Sequence, residues 1–122
     1  MTNVTPLRRT AITVRDLEAS LRFYQQALGL RIWKRGEAGP DNRAFARLMG
    51  APPCTVRWAV LQSGDVEWGM VGLFELSGPP PPAVRRPQPA RDHRGEACLV
   101  FPAAEGRRGP PLGRAVGGRG VW

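Results

Sequence analysis

The apolar and polar positions change their period once between residues 10 and 30, and this change predicts a strand followed by a helix. Ile12 and Val14 alternate with polar neighbours, a pattern typical of a half-buried strand. Apolar residues then recur at intervals of three and four, as they do along one face of an α-helix over about residues 17–28. That face comprises Leu17, Leu21, Tyr24 and Leu28, with Phe23 and Ala27 at its margin.

Capping residues support this helix and predict a second, shorter one. Asp16 stands at the N-cap, where its carboxylate accepts hydrogen bonds from free backbone N–H groups, and Gly29 suits a left-handed C-cap. After the break at Pro40, either Asp41 or Asn42 is placed to cap the shorter helix. The apolar side of that helix comprises Phe45, Leu48 and Met49, and Gly50 ends it.

The remaining apolar runs predict further strands, which makes the chain α+β. The strands cover about residues 9–14, 30–36, 56–61 and 66–76, with a turn at residues 63–65. A chain of 122 residues is near the usual size of one domain and can bury a modest core. No apolar run reaches the roughly 18 residues that cross a membrane, and the N-terminus MTNVTPLRRT lacks an apolar signal region. We therefore expect a cytoplasmic protein with no membrane partner.

The charge is strongly basic and uneven along the chain. Eighteen Lys and Arg residues against ten Asp and Glu residues give a net charge of +8. Residues 79–122 hold eight arginines against three acidic residues and are rich in Pro and Gly, a composition that disfavours a packed core. The two cysteines, Cys54 and Cys98, lack the spacing of a metal site and are expected to be reduced, partly buried thiols.

Three segments, taken in order, resemble one superfamily. They are ITVRDLEASLRFYQQALGL, PDNRAFARLMGAP and the strand ending in GLFELSG. Their order is similar to that of the vicinal oxygen chelate superfamily, which includes glyoxalases, extradiol dioxygenases, methylmalonyl-CoA epimerases, and bleomycin and fosfomycin resistance proteins. The resemblance implies a βαβββ module, and in that superfamily two such modules face each other to form a cup.

The resemblance covers one module and only the start of a second. It implies a first βαβββ module at residues 1–78, a Pro/Arg-rich linker at residues 79–94, and an incomplete second module at residues 95–122. The second module would consist of one strand, EACLVF, and a disordered or irregular Gly/Pro/Arg-rich tail that excludes an ordinary helix. Either the chain is truncated or shifted out of frame after about residue 103, which the Arg/Gly/Pro bias favours, or the tail is a genuine flexible extension.

The superfamily's metal-binding positions fall on unusual residues in this chain. By the resemblance, the first-strand histidine position falls on Arg9, the fourth-strand glutamate on Glu75, and the histidine that opens the second module on Glu96. Arginine stays protonated and offers no lone pair, so it does not bind a cation. Glu75 is then the candidate catalytic residue, and Glu75 and Glu96 are the candidate metal ligands. Because a catalytic site normally has three protein ligands, no metal cofactor is expected; the alternative is a divalent metal held weakly by the Glu75 and Glu96 carboxylates. We expect instead an ion pair between Arg9 and Glu75.

The resemblance implies that the concave face of the sheet presents the site, and strand alternation then indicates three candidate ligand-binding residues on that face, with Trp58 as a fourth candidate. Arg9 and Thr13 share one face of the first strand, and Leu73 shares a face of the fourth strand with Glu75. Trp58 is a candidate for lining a pocket for a planar ligand, and its alternative place is the core.

Two classes of function follow. The resemblance implies a metal-free small-molecule binder of the glyoxalase/bleomycin-resistance type or an inactive truncated relative, with a metal-dependent lyase, isomerase or dioxygenase as the alternative. No nucleophile–His–acid set is available, because the single histidine, His93, lies in the linker and is expected to be solvated. The second class is a nucleic-acid binder that uses the Arg-rich tail, although only Trp122 there offers a ring for stacking.

A lone module leaves its concave face uncovered, so we expect a homodimer that rebuilds the cup.

Overall fold

The computed structural model describes residues 3–48, 50–78 and 99–102 of the chain. Within these residues the fold is α+β, as predicted, and Cys54 is a half-buried free thiol. None of the helices in this part is long and apolar enough to cross a membrane. Several sequence predictions lie outside the described residues: those on Met49, His93, Glu96 and Cys98, on the linker at 79–94, and on most of the tail at 95–122.

The elements follow one another in the predicted order. They are strand β1 (Arg9–Thr13), helix α1 (Leu17–Leu28), strand β2 (Arg31–Ala38), helix α2 (Arg43–Leu48), strand β3 (Val56–Gln62) and strand β4 (Met70–Leu76). The largest difference from the prediction is that β4 begins at residue 70 and not at residue 66. The chain is still turning there: Val66 donates its N–H to the carbonyl of Ser63, and Gly69 has a φ of 65°.

The caps of α1 form as its sequence predicts. The Asp16 carboxylate accepts a hydrogen bond from the N–H of Ala19 at 3.0 Å, which satisfies one of the free donors of the first turn. At the other end, Gly29 adopts the left-handed conformation with a φ of 67°, and its N–H returns to the carbonyl of Gln25. Asn42, one of the two predicted caps of α2, accepts from the N–H of Phe45 at 3.2 Å.

The four strands form one mixed sheet in the order β1-β4-β3-β2. β1 runs parallel to β4, while β4 with β3 and β3 with β2 are antiparallel pairs. β4 and β3 therefore occupy the centre, and β1 and β2 are the edges. A bulge in β2 adds Trp33 between Ile32 and Lys34. The guanidinium of Arg8, just before β1, lies 5.6 Å from the Trp33 ring centroid, so side chains from the two edges of the sheet meet.

The core lies between α1 and one face of the sheet. The register places Leu61 opposite Val71 and Ala59 opposite Leu73, and all four are almost completely buried on that face. The predicted place of Leu73 on the concave, ligand-binding face is therefore wrong: its side chain is 0% exposed and lies in the core. The physical reason is that β4 is apolar and buried from residue 70 to residue 74, so no alternation of polar and apolar residues distinguishes its core face from its other face.

Glu75 lies on the same face as α1 and caps that helix. One carboxylate oxygen accepts a hydrogen bond from the N–H of Leu17 at 2.6 Å, and the other lies 3.3 Å from the guanidinium of Arg57. Arg57 also binds Glu18 at 3.1 Å, and Glu18 binds Arg35 of β2. We call Glu18, Arg35, Arg57 and Glu75 the cap cluster. It ties the first turn of α1 to three of the four strands.

The charges of the cap cluster hold the Glu18 carboxylate in its ionised form. The hydrogen bond from Arg35, helped by the charges of Arg35 and Arg57, lowers the pKa of Glu18 below its ordinary value. Both partners are half exposed, so solvent screens the pair. The cap cluster therefore mainly orients α1 on the sheet, and its electrostatic contribution to the stability of the fold is small.

We expect Glu75→Ala to lower the free energy of unfolding by about 1–2 kcal/mol, because a helix-capping acceptor is lost and Arg57 loses one of its two partners. Urea unfolding followed by circular dichroism measures this change. Glu67→Ala is the matched control: Glu67 pairs only with Arg8 in an exposed salt bridge, so its loss changes stability by less than about 0.5 kcal/mol. Equal effects of the two substitutions would contradict the capping role.

The stability of the protein should fall at alkaline pH through Tyr24. Burial raises the pKa of Tyr24 from 10.0 to about 12 in the folded chain. The folded pKa is raised, so this stabilisation is fully present below pH 10 and is lost as pH rises towards 12, by about 2–3 kcal/mol.

Tyr24→Phe should remove this part of the pH dependence, which paired unfolding curves at successive pH values will show. Because the chain has one tyrosine, tyrosinate absorbance reports its ionisation directly. A native titration midpoint at the ordinary value would show that the ring is not buried.

Candidate functional site

The sheet face opposite α1, which we call the cup face, is built by alternate residues of β1, β4 and β3. Residues that pair across strands share a face, and Glu75 lies on the α1 face, so Phe74 and its pairing partners Thr13 and Trp58 lie on the cup face. The same register and the alternation of β3 give the full set of cup-face positions in these three strands: Arg9, Ala11, Thr13, Val56, Trp58, Val60, Gln62, Met70, Gly72, Phe74 and Leu76.

A cavity of about 620 Å³ opens on the cup face. The sheet contributes its floor and α2 contributes one wall. Within residues 3–48, 50–78 and 99–102, the residues that line it are Arg9, Ala11, Phe45, Leu48, Trp58 and Phe74. Five of these six side chains are apolar and three are aromatic, so the cavity suits a largely apolar or planar molecule.

Two glycines allow the aromatic rings to lie close to the sheet. A Cβ atom at Gly36 of β2 would stand 2.8 Å from Cζ2 of Trp58, closer than real Cβ contacts. A Cβ atom at Gly72 would stand 3.1 Å from the Phe74 ring. Residues without a side chain at these positions therefore leave room for the rings.

Helix α2 completes the aromatic wall. The Phe45 ring packs against the Phe74 ring with centroids 5.4 Å apart and planes tilted by 47°. The Asn42 cap holds the first turn of α2 and so fixes where Phe45 enters the cavity. Leu48, one turn further on, is 82% exposed although it lines the cavity, so it lies at the open mouth.

Among the described residues that line the cavity, Arg9 has the one charged side chain. It pairs with Met70 at the start of β4, whereas Glu75 lies five residues further along β4, roughly 16 Å away, and on the opposite face. The predicted ion pair between Arg9 and Glu75 is therefore wrong. In the part of the chain that the structure describes, Arg9 has no carboxylate within salt-bridge distance.

In the described part of the chain, the cup face presents no donor set for a metal ion. Glu75, a predicted metal ligand and catalytic residue, uses its oxygens for the N–H of Leu17 and for Arg57 on the other face of the sheet. Residues 3–48, 50–78 and 99–102 contain no group of three or more His, Cys, Asp or Glu side chains placed to bind a metal. The residues of this cavity, five apolar side chains and a guanidinium, do not fit a divalent cation.

The structure thus brings together some of the predicted site residues and separates others. Arg9 and Trp58 line the cavity, and Thr13 is exposed on the cup face beside them. Leu73 is in the core and Glu75 caps α1. The sequence analysis missed the other residues that line the cavity, Ala11, Phe45, Leu48 and Phe74. The sequence does indicate the face of Ala11, because Ala11 alternates in step with Arg9 and Thr13 along β1. No pattern in the sequence indicates where α2 lies over the sheet.

Comparison with known proteins agrees with this architecture. A family model described as the Glyoxalase/Bleomycin resistance protein/Dioxygenase superfamily matches residues 7–115. A glyoxalase family protein from Bacillus cereus has a similar crystal structure, with a TM-score of 0.57 at 19% sequence identity. The alignment covers 68% of this chain and 53% of that one, so the matched part is about half of the Bacillus protein. A search of curated proteins found no match. From the family match over residues 7–115, the chain belongs to the Glyoxalase/Bleomycin resistance protein/Dioxygenase superfamily.

Proposed function

We propose that this protein binds a small organic molecule in the cavity on the cup face, and that it does so without a metal ion. The observation that supports the proposal is the lining of the cavity, which is aromatic and aliphatic apart from Arg9. A volume of about 620 Å³ falls within the roughly 300–1,000 Å³ typical of small-molecule sites.

The positions of the carboxylates support the metal-free part of the proposal. A metal-dependent lyase or dioxygenase needs acidic or imidazole ligands that converge on the reacting atoms. Here the cap cluster holds Glu18 and Glu75 on the α1 face, each with its own arginine partner. Moving Glu75 to the cup face would leave Leu17 without its capping acceptor and Arg57 with a single partner.

The site also supports pairing of two chains across the cup. Leu48 is a large apolar side chain at the mouth of the cavity and is 82% exposed, so its apolar surface is left in water in the single chain. A two-fold pair that placed cup face against cup face would cover Leu48 and enclose the ligand between two modules. We propose this homodimer as the binding form.

We expect Trp58→Ala to weaken the binding of naphthamide, a neutral planar probe, by about tenfold or more, because the indole forms one wall of the cavity. Isothermal titration calorimetry measures the affinity, and circular dichroism confirms that the variant is folded. Trp68→Ala is the control: Trp68 is 48% exposed, is not among the lining residues, and should leave the affinity unchanged. Treatment with a chelator should also leave the affinity unchanged, and a large gain on adding Ni²⁺ or Zn²⁺ would contradict the proposal.

We expect Leu48→Asp to shift the protein from dimer to monomer, because a charge would be buried at the centre of the proposed pair. Sedimentation equilibrium measures the mass. Val66→Asp is the control, since Val66 is exposed in the turn before β4 and does not line the cavity. A native chain that stays monomeric at every concentration, or a Leu48→Asp variant that dimerises like the native chain, would overturn the pairing.

A further inference from the structure

The cavity has a positive end and an aromatic end, and we infer that its ligand is an aromatic carboxylate whose acid group binds Arg9. The inference rests on the proposed function, because it names the class of molecule that the same cavity would take. It comes from the position of one guanidinium in a lining that is otherwise apolar.

The two ends are separated along the strands. Arg9 pairs with Met70 at the start of β4, whereas Trp58 pairs with Phe74 four residues further on, a distance of roughly 13 Å along the strand. The Phe74 ring lies over Gly72, which is between residues 70 and 74 of β4. The ring therefore shortens the distance between the aromatic side chains and Arg9. A ligand of one or two fused rings with an acid group at one end would contact both ends.

The charge of Arg9 decides what kind of polar group the ligand carries. A guanidinium is always protonated and offers only donors, so it attracts an acceptor and repels a cation. Its planar fork matches the two oxygens of a carboxylate, and such bidentate pairs are stronger than neutral hydrogen bonds. The arginines of the α1 face, Arg35 and Arg57, already have carboxylate partners in the cap cluster. Arg9 has none among the described residues, which leaves its donors available to a ligand.

The charge of the whole chain acts in the same direction. A net charge of +8 raises the local concentration of anions and speeds their association at low ionic strength. This long-range attraction does not select a site. The selective contribution comes from Arg9, because it alone among the described lining residues offers a charge to the cavity.

The test compares naphthoate with naphthamide, which have the same ring system and differ in charge. We expect the native protein to bind naphthoate about tenfold more tightly than naphthamide in isothermal titration calorimetry at moderate salt. Arg9→Gln should remove that preference by weakening the binding of naphthoate to about the affinity of naphthamide. Arg22→Gln is the control, because it makes the same change of net charge on an exposed residue of α1 and should keep the preference.

The outcomes separate this inference from the proposed function. Binding of both probes with equal affinity, or a preference for naphthoate that survives Arg9→Gln, would overturn the role of Arg9 and leave the cavity as the binding site. Equal loss of the preference in Arg9→Gln and Arg22→Gln would show that net charge alone attracts the acid, which also overturns it. If the folded native protein bound neither probe, the proposed function would fail, and the inference with it.

Discussion

Strand β4 is buried on both of its faces, and its alternation decides what each face of the sheet does. Leu73 points into the core under α1, Phe74 points into the cavity, and Glu75 points back to the start of α1. Because side chains alternate with a period of two, a shift of one residue would exchange all of these roles. The N–H of Leu17 would then lose its acceptor, Glu75, and an aromatic ring would replace a leucine in the core.

The division of charge between the two faces follows from this alternation. On the α1 face, carboxylates and guanidinium groups neutralise each other in the cap cluster and orient the helix. On the cup face, Arg9 lies among apolar side chains with no carboxylate partner in the described part of the chain. Glu75, the carboxylate that the sequence predicts as the partner of Arg9, instead accepts hydrogen bonds from the N–H of Leu17 and from the guanidinium of Arg57. The proposed use of the cavity for an organic acid depends on this separation.

The shape of the cavity depends on residues that carry no functional group. Gly36 and Gly72 have no side chain to hold the Trp58 and Phe74 rings away from the sheet. Helix α2 is only six residues long, yet its capped first turn brings Phe45 into contact with Phe74. The described residues that line the cavity are apolar apart from the guanidinium of Arg9.

The order and approximate bounds of the elements, and both caps of α1, were determined by the sequence itself, because caps, turns and helical periodicity act between residues close along the chain. The faces of β1 were also readable, since Ile12 and Val14 alternate with Thr13. The faces of β4 were not, because a central strand that is apolar on both sides has no polar period to read. Only the pairing of β4 with β1 and β3 decided that Glu75 caps a helix and that Phe74 lines the cavity.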